Sequence, residues 1–159
     1  KPNNKYFRLY VGGEVRLKNA YIIKCERVVK DGDGNITVVH GTYDPETRSG
    51  SGFTGRKVKG TIHWVEKDTA RKAECRLYEN IVDEEKGKLN EDGTLNLNPN
   101  SLTVLKDCYV EPQLAEAKAY DSFQFMRNGY FCVDAKDSRP EHLVFNRIVS
   151  LKSSFKLNS

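Results

Sequence analysis

The segment KYFRLYVGGEVRLK, residues 5–18, interleaves cations with flat rings: Lys5, Arg8, Arg16 and Lys18 stand among Tyr6, Phe7 and Tyr10. Far along the chain, FQFMRNGYFCVD (residues 123–134) sets Gln124 and Arg127 among phenylalanines and a tyrosine. Ammonium and guanidinium groups hold phosphates, and a guanidinium fork can grip two adjacent acceptors on a base edge. Exposed rings give unstacked bases a surface to lie on. A carboxamide donates and accepts at once, which suits an edge carrying both kinds of group. Together these are the parts of a nucleic-acid surface. The same residues would also serve a barrel that opens with an aromatic-rich strand and keeps its lysines in water.

Charge sharpens that choice without making it. The 159 residues carry a net +4, yet residues 1–30 alone hold eight basic groups against two acidic ones, a net +6, which leaves −2 for the remainder. A basic block beside a nearly neutral body suggests an anionic partner. Other chemistries find less support. Cys25, Cys75, Cys108 and Cys132 lack the close pairing of zinc ligands, and most of them fall in strand-like apolar segments, where a free thiol packs as a small hydrophobe. That usage fits a reducing, cytosolic setting. DGDGN at 31–35 imitates the start of a calcium loop, but Ile36 and Thr42 replace its Gly and its bidentate Glu, so a hairpin turn is expected. His40, His63 and His142 join no metalloprotease motif, and no nucleophile elbow, phosphate-binding glycine loop or dinucleotide fingerprint occurs. No catalytic residue and no metal ligand is assigned.

The elements that must position these groups read as strands. In VRLKNAYIIKCERVVK, Val15, Leu17, Tyr21, Ile23 and Cys25 share one face and the charges take the other. ITVVHGTYD, KVKGTIHWVEK, RKAECRLYENIV, SLTVLKDCYVEP and LVFNRIVSL continue the series, with Trp64 as a core residue and LAEAKAY as a short helix. Strands at short spacing between glycine-rich turns argue for small β-barrels or a sandwich. No apolar run approaches the ~20 residues of a membrane span. No signal-peptide pattern opens the chain, and KPNNKYF has the look of a cut point.

FQFMRNGYFCVD reads as a hairpin about Asn128-Gly129, since a two-residue type I′ loop needs positive φ at both positions. That register pairs Arg127 with Tyr130, Phe125 with Cys132 and Gln124 with Val133. It sets Phe123, Phe125 and Arg127 on one face and Gln124, Met126, Phe131 and Val133 on the other. A purely structural hairpin needs neither Gln124 nor Arg127.

EVRLKNAYIIKCERV, TYD, KVKGTIHWV, RLYEN, FQFMRNGYFCVD and VFNRIVSLK, in this order and spacing, resemble the C-terminal, anticodon-binding part of the bacterial glutaminyl-tRNA synthetases. The likeness covers nearly the whole chain, and KVKGTIHW and FQF-x-R-x-GYFC are its specific parts. It implies a mainly β fold of two small antiparallel barrels, similar to a ribosomal protein that binds 5S RNA, with one or two short helices. Residues 1–73 would form the first barrel. Residues 74–159 would supply the rest of a second, incomplete one whose first strands lie upstream.

The resemblance also implies roles. Arg8 matches an arginine on the third anticodon base. That base is G in glutamine anticodons, whose O6 and N7 a guanidinium grips with both prongs, and C in glutamate anticodons. Gln124 and Arg127 match the pair around the middle uracil, which requires a turn or bulge to bring Arg127 round. Arg16 and Lys18 match basic residues near the wobble base, where Lys18 stands in place of a common arginine and offers a point charge instead of a fork. Lys5 and Phe7 also depart from the family pattern and are possible RNA contacts. The implied function is a tRNA anticodon-recognition module of a glutamine–tRNA ligase, inactive alone, working through the anticodon loop of glutamine tRNA. The catalytic domain of the same polypeptide would bring ATP and magnesium, and this part would need no cofactor. A cytoplasmic monomer is expected. The alternatives are a stand-alone RNA-binding barrel of the 5S type and the equivalent region of a glutamyl-tRNA synthetase.

Overall fold

Asn19 turns the chain back on itself. Its φ of 58° makes the tight bend in which Ala20 N–H donates to Leu17 O at 3.0 Å. VRLKNAYIIKCERVVK is therefore two strands, β1 (Glu14–Leu17) and β2 (Ile22–Lys30), with Val15 opposite Ile23. Directly opposed residues share a face, so Val15 and Ile23 stay together as the alternation predicts. Ile22, opposite Arg16 on the face read as charged, is buried as well, and Leu17, Tyr21 and Ile23 are only half-buried. Residues 9–83 and 86–151 are described in this computed structural model.

The chain divides into two compact units, Lys1–Trp64 and Val65–Ser159. In the first, β3 (Ile36–Asp44) and β4 (Thr61–Ile62) complete a four-stranded sheet in the order β3-β2-β1-β4. DGDGN is the turn between β2 and β3. Asp31 Oδ1 accepts the backbone N–H groups of Asp33 and Asn35 at 3.0 and 2.8 Å, and Gly34 takes φ 84°. The carboxylate that mimicked a calcium ligand is occupied in closing the loop. A small core of Val15, Ala20, Ile22 and Cys25 includes the fully buried Thr47. The Thr47 hydroxyl accepts Ile22 N–H at 2.8 Å and donates to Asp44 O at 2.6 Å, which makes its burial affordable.

The second unit holds β5 (Arg71–Tyr78), β6 (Leu102–Val110), β7 (Ser122–Phe125), β8 (Gly129–Val133) and β9 (Leu143–Val149), in the order β6-β5-β9-β8-β7. Its core joins Ala73, Cys75, Val110, Leu114, Phe131, Val133, Leu143 and Phe145, with Phe123 and Phe125 packed against them. Phe125 lies on Phe131 with ring centroids 4.5 Å apart and meets Phe145 edge-on at 5.1 Å. β5 pairs along its length with β6, so the unit boundary falls upstream of it and not within it.

Several expectations change. Each sheet contains one parallel pairing, β1 with β4 and β5 with β9, so the sheets are mixed and not purely antiparallel. Among the described residues both are open, with β3 and β4, and β6 and β7, at their edges. KVKGTIHWVEK contributes only the two-residue β4, and Trp64 remains 40% exposed with its indole N–H donating to Lys18 O at 3.0 Å. LAEAKAY forms no α-helix. A 3₁₀ turn over Pro112–Glu116 stops where Ala117 becomes extended, and a second such turn spans Pro45–Thr47.

Candidate nucleic-acid interface

The hairpin of β7 and β8 pairs Gln124 with Tyr130 and Phe125 with Gly129, not with Val133 and Cys132 as the Asn-Gly signal suggests. The loop is Met126-Arg127-Asn128. Asn128 N–H donates to Phe125 O at 2.8 Å, and Arg127 carries the positive φ of 67° at the third position, as in a type II turn. This register places Phe123, Phe125, Phe131 and Val133 on one face, where they build the core. Packing decides the issue: the two-residue loop would have split the four apolar side chains between the two faces.

The consequence for the site is direct. Gln124 lies on the outer face opposite Tyr130, and both are exposed. Arg127 is exposed at the bend, where its left-handed backbone takes it out of the strand alternation. The structure thus brings Gln124 and Arg127 to the outer side and tip of one hairpin whose opposite side is buried. Gly129 fixes that tip. An added Cβ there would lie 2.6 Å from Val149 O, in a backbone with φ 146°.

A cavity of about 300 Å³ lies near this hairpin, lined by Cys75, Leu77, Leu105, Cys108, Phe125 and Phe131 with Asn128 and Arg147. Burial, with Cys108 as neighbour, pushes the Cys75 thiol up to about 12, so it is no nucleophile near neutrality. Two arginines of this unit are committed to carboxylates. Arg76 reaches Asp137 at 2.6 Å and Glu74 at 2.7 Å, and Arg147 pairs with Glu79.

In the first unit, Arg16 and Lys18 stand at the end of β1 and just beyond it. Arg16 is half-buried. Its Nη1 donates to Thr47 O at 2.8 Å and to Ala20 O and Ser49 Oγ at 3.3 Å. Its guanidinium is therefore held in one orientation by neutral oxygens. The half-buried Lys18 is fixed through its backbone, with its N–H donating to Ile62 O at 2.9 Å. Lys5, Phe7 and Arg8 lie outside the described residues.

Sequence reasoning left residues 53–56 in a linker and used Lys57 and Val58 only as the start of the KVKGTIHW motif. Phe53, Thr54, Gly55, Arg56, Lys57 and Val58 line a groove of about 260 Å³ together with Arg16 and Thr61. Arg56 forks onto Glu14 at 3.1 and 3.0 Å and reaches Asp44 at 2.9 Å, and those hydrogen bonds, Glu14 first, raise its already high pKa. An aromatic residue followed closely by two cations was the available signal, but it sits in a segment that reads as a linker.

Comparison with known proteins bears on this geometry. Two family models, each described as an anticodon-binding domain of class I tRNA synthetases (E and Q), match residues 2–44 and 61–134. The chain belongs to this family of anticodon-binding domains. It is 54% identical to the glutamine–tRNA ligase of Clostridium perfringens over 160 residues, covering 98% of this chain and 28% of that protein. The glutamine–tRNA ligases of Clostridioides difficile (161 residues aligned) and Haemophilus influenzae (155 residues aligned) are likewise 54% identical, with the same 98% and 28% coverage. The chain thus spans 28% of the length of these curated relatives. Arg8, Arg16 and Lys18 fall within the first matched segment of this anticodon-binding family, Gln124 and Arg127 within the second. The groove-lining residues 53–58 lie between the two.

Proposed function

We propose that this chain is the anticodon-reading part of a glutamine–tRNA ligase. Its partner is glutamine tRNA, met at the anticodon loop, and the remainder of the same polypeptide carries out the ATP- and magnesium-dependent ligation. The chain alone is inactive as a ligase, and a cytoplasmic monomer is the expected setting. One observation supports the reading above the rest. Gln124 and Arg127 are exposed on a hairpin whose other side is anchored by Phe123, Phe125, Phe131 and Val133, in a segment matched by the family. Side chains that read a base must be held by a rigid support, because ordering them on binding costs entropy.

In the proposed mode, cations of residues 1–30 grip phosphates and supply most of the affinity. Gln124 and Arg127 enclose the middle uracil, and Arg8 reads the third base. Arg16 and Lys18 act near the wobble base, with Lys5 and Phe7 as flanking contacts. The test is a titration of the chain with a glutamine anticodon stem-loop. Gln124→Ala and Arg127→Ala are each expected to weaken binding about ten-fold and to relax the preference for U over C at the middle position, a loss in keeping with the ~1–3 kcal/mol of one good base contact. Unchanged affinity in both variants overturns the reading. Equal affinity of the wild-type chain for loops differing only in the third base would favour a reader of RNA shape.

A further inference from the structure

Arg16, Phe53, Arg56 and Lys57 line one groove of the first unit. Phe53 is half-buried, and its ring lies over Gly55 so closely that a Cβ added there would meet ring carbons at 2.5 and 2.7 Å. Glycine thus gives the ring a seat against bare backbone. Thr54 and Val58 extend the wall, and the loop is anchored where Arg56 binds Glu14 and Asp44. Phe53 and the Arg56 head group are therefore both seated on neighbours.

Charge distinguishes this groove from a merely structural crevice. Arg56 brings two carboxylates of its own, neither of which lines the cavity. Arg16 is bonded to neutral oxygens, and among the described residues it forms no ion pair; nor does Lys57. The half-buried guanidinium of Arg16, held by its hydrogen bonds, and the exposed ammonium of Lys57 on the same groove, both without a carboxylate, attract an anion. Beside them lies one aromatic face. At about 260 Å³ the space suits a single planar ring with its phosphate, and is far too small for a duplex groove.

We propose that this groove is a subsite for one unpaired nucleotide of the bound RNA, with the base on Phe53 and its phosphate between Arg16 and Lys57. The inference rests on the anticodon-reading function and adds to it a contact in the segment that neither family model matches. Phe53 supplies stacking, which tolerates any base. Lys57 supplies charge. Gly55 is a positioning residue that acts through Phe53.

The experiment measures binding of the full chain to a glutamine anticodon stem-loop by fluorescence anisotropy, across a salt series. Phe53→Leu keeps an apolar cover over Gly55 while removing the aromatic face, and is expected to weaken binding about ten-fold. Lys57→Ala is expected to lower the slope of log K against log salt by about 0.7, one single-strand phosphate contact, without changing base preference. Stem-loops carrying an abasic site at each loop position in turn then identify the stacked base, because at that position Phe53→Leu costs nothing further. If Phe53→Leu and Lys57→Ala bind as the wild type while Arg127→Ala binds weakly, the subsite is refuted and the anticodon reading stands. Should Gln124→Ala and Arg127→Ala also bind as the wild type, both fall together.

Discussion

Asp134 shows how a single carboxylate organises the turn before β9. Its Oδ1 accepts the N–H groups of Lys136 and Asp137 at 2.8 and 2.7 Å, and Oδ2 accepts from Asn146 Nδ2 at 2.6 Å. The Asn146 bond is the main cause that holds its pKa below the ordinary aspartate value, and Arg76 at 3.5 Å assists. A carboxyl whose folded pKa is depressed adds stability above its unfolded value, and that stability is lost as pH falls through the lowered one. Acid should therefore destabilise the second unit from just above pH ~4 downward. Asp134→Asn, which keeps an acceptor for the two backbone donors, should show a shallower fall in urea midpoint between pH 6 and pH 3. Parallel profiles for the two proteins would mean that Asp134 titrates alike folded and unfolded. Arg16 belongs to the same scale. Its partners Thr47 and Ser49 lie so far along the chain that no local pattern announces them, whereas its place in β1 was legible from the alternation about Val15 and Leu17.

At the scale of elements, turn chemistry and strand packing make competing demands on the β7–β8 hairpin. Asn128-Gly129 is a strong I′ signal by propensity. The four apolar residues gain more by sharing one buried face, and the three-residue loop lets them do so. The cost is a non-glycine residue, Arg127, at positive φ and a glycine, Gly129, at which any side chain is strained. Gly129→Ala should destabilise the second unit by about 1–3 kcal/mol, the order of a strained backbone position, because φ 146° disfavours a side chain and Val149 O stands 2.6 Å from the new Cβ. Gly32→Ala, at an open position with no positive φ, should change stability by less than about 0.5 kcal/mol. Thermal unfolding followed by circular dichroism separates the two. A neutral Gly129→Ala would show that the hairpin closes in another register. The DGDGN turn was readable because its bonds are local. The parallel pairings β1–β4 and β5–β9 were not, since each joins strands separated by other elements.

For the molecule as a whole, the family and its two-part β architecture could be read from ordered motifs, while the groove at residues 53–58 could not. A groove is made by tertiary contacts, and Arg56 finds Glu14 far back in the sequence. The distribution of charge has the widest consequence. With the excess positive charge in residues 1–30 and a slightly negative remainder, attraction to RNA should come from displacing cations along a single-stranded loop. Each phosphate neutralised contributes about −0.7 to the slope of log K against log salt for single strands, so three or four contacts give about −2 to −3. Replacing the middle anticodon base should lower affinity by a similar factor at every salt concentration, because base-edge contacts release few ions. Phosphate and base contributions then separate within one set of titrations. A flat salt dependence for the cognate loop would place the binding energy elsewhere than in the basic block. A base preference that vanished at high salt would mean that it rests on the charge of Arg127 and not on base-edge contacts by Gln124 and Arg127.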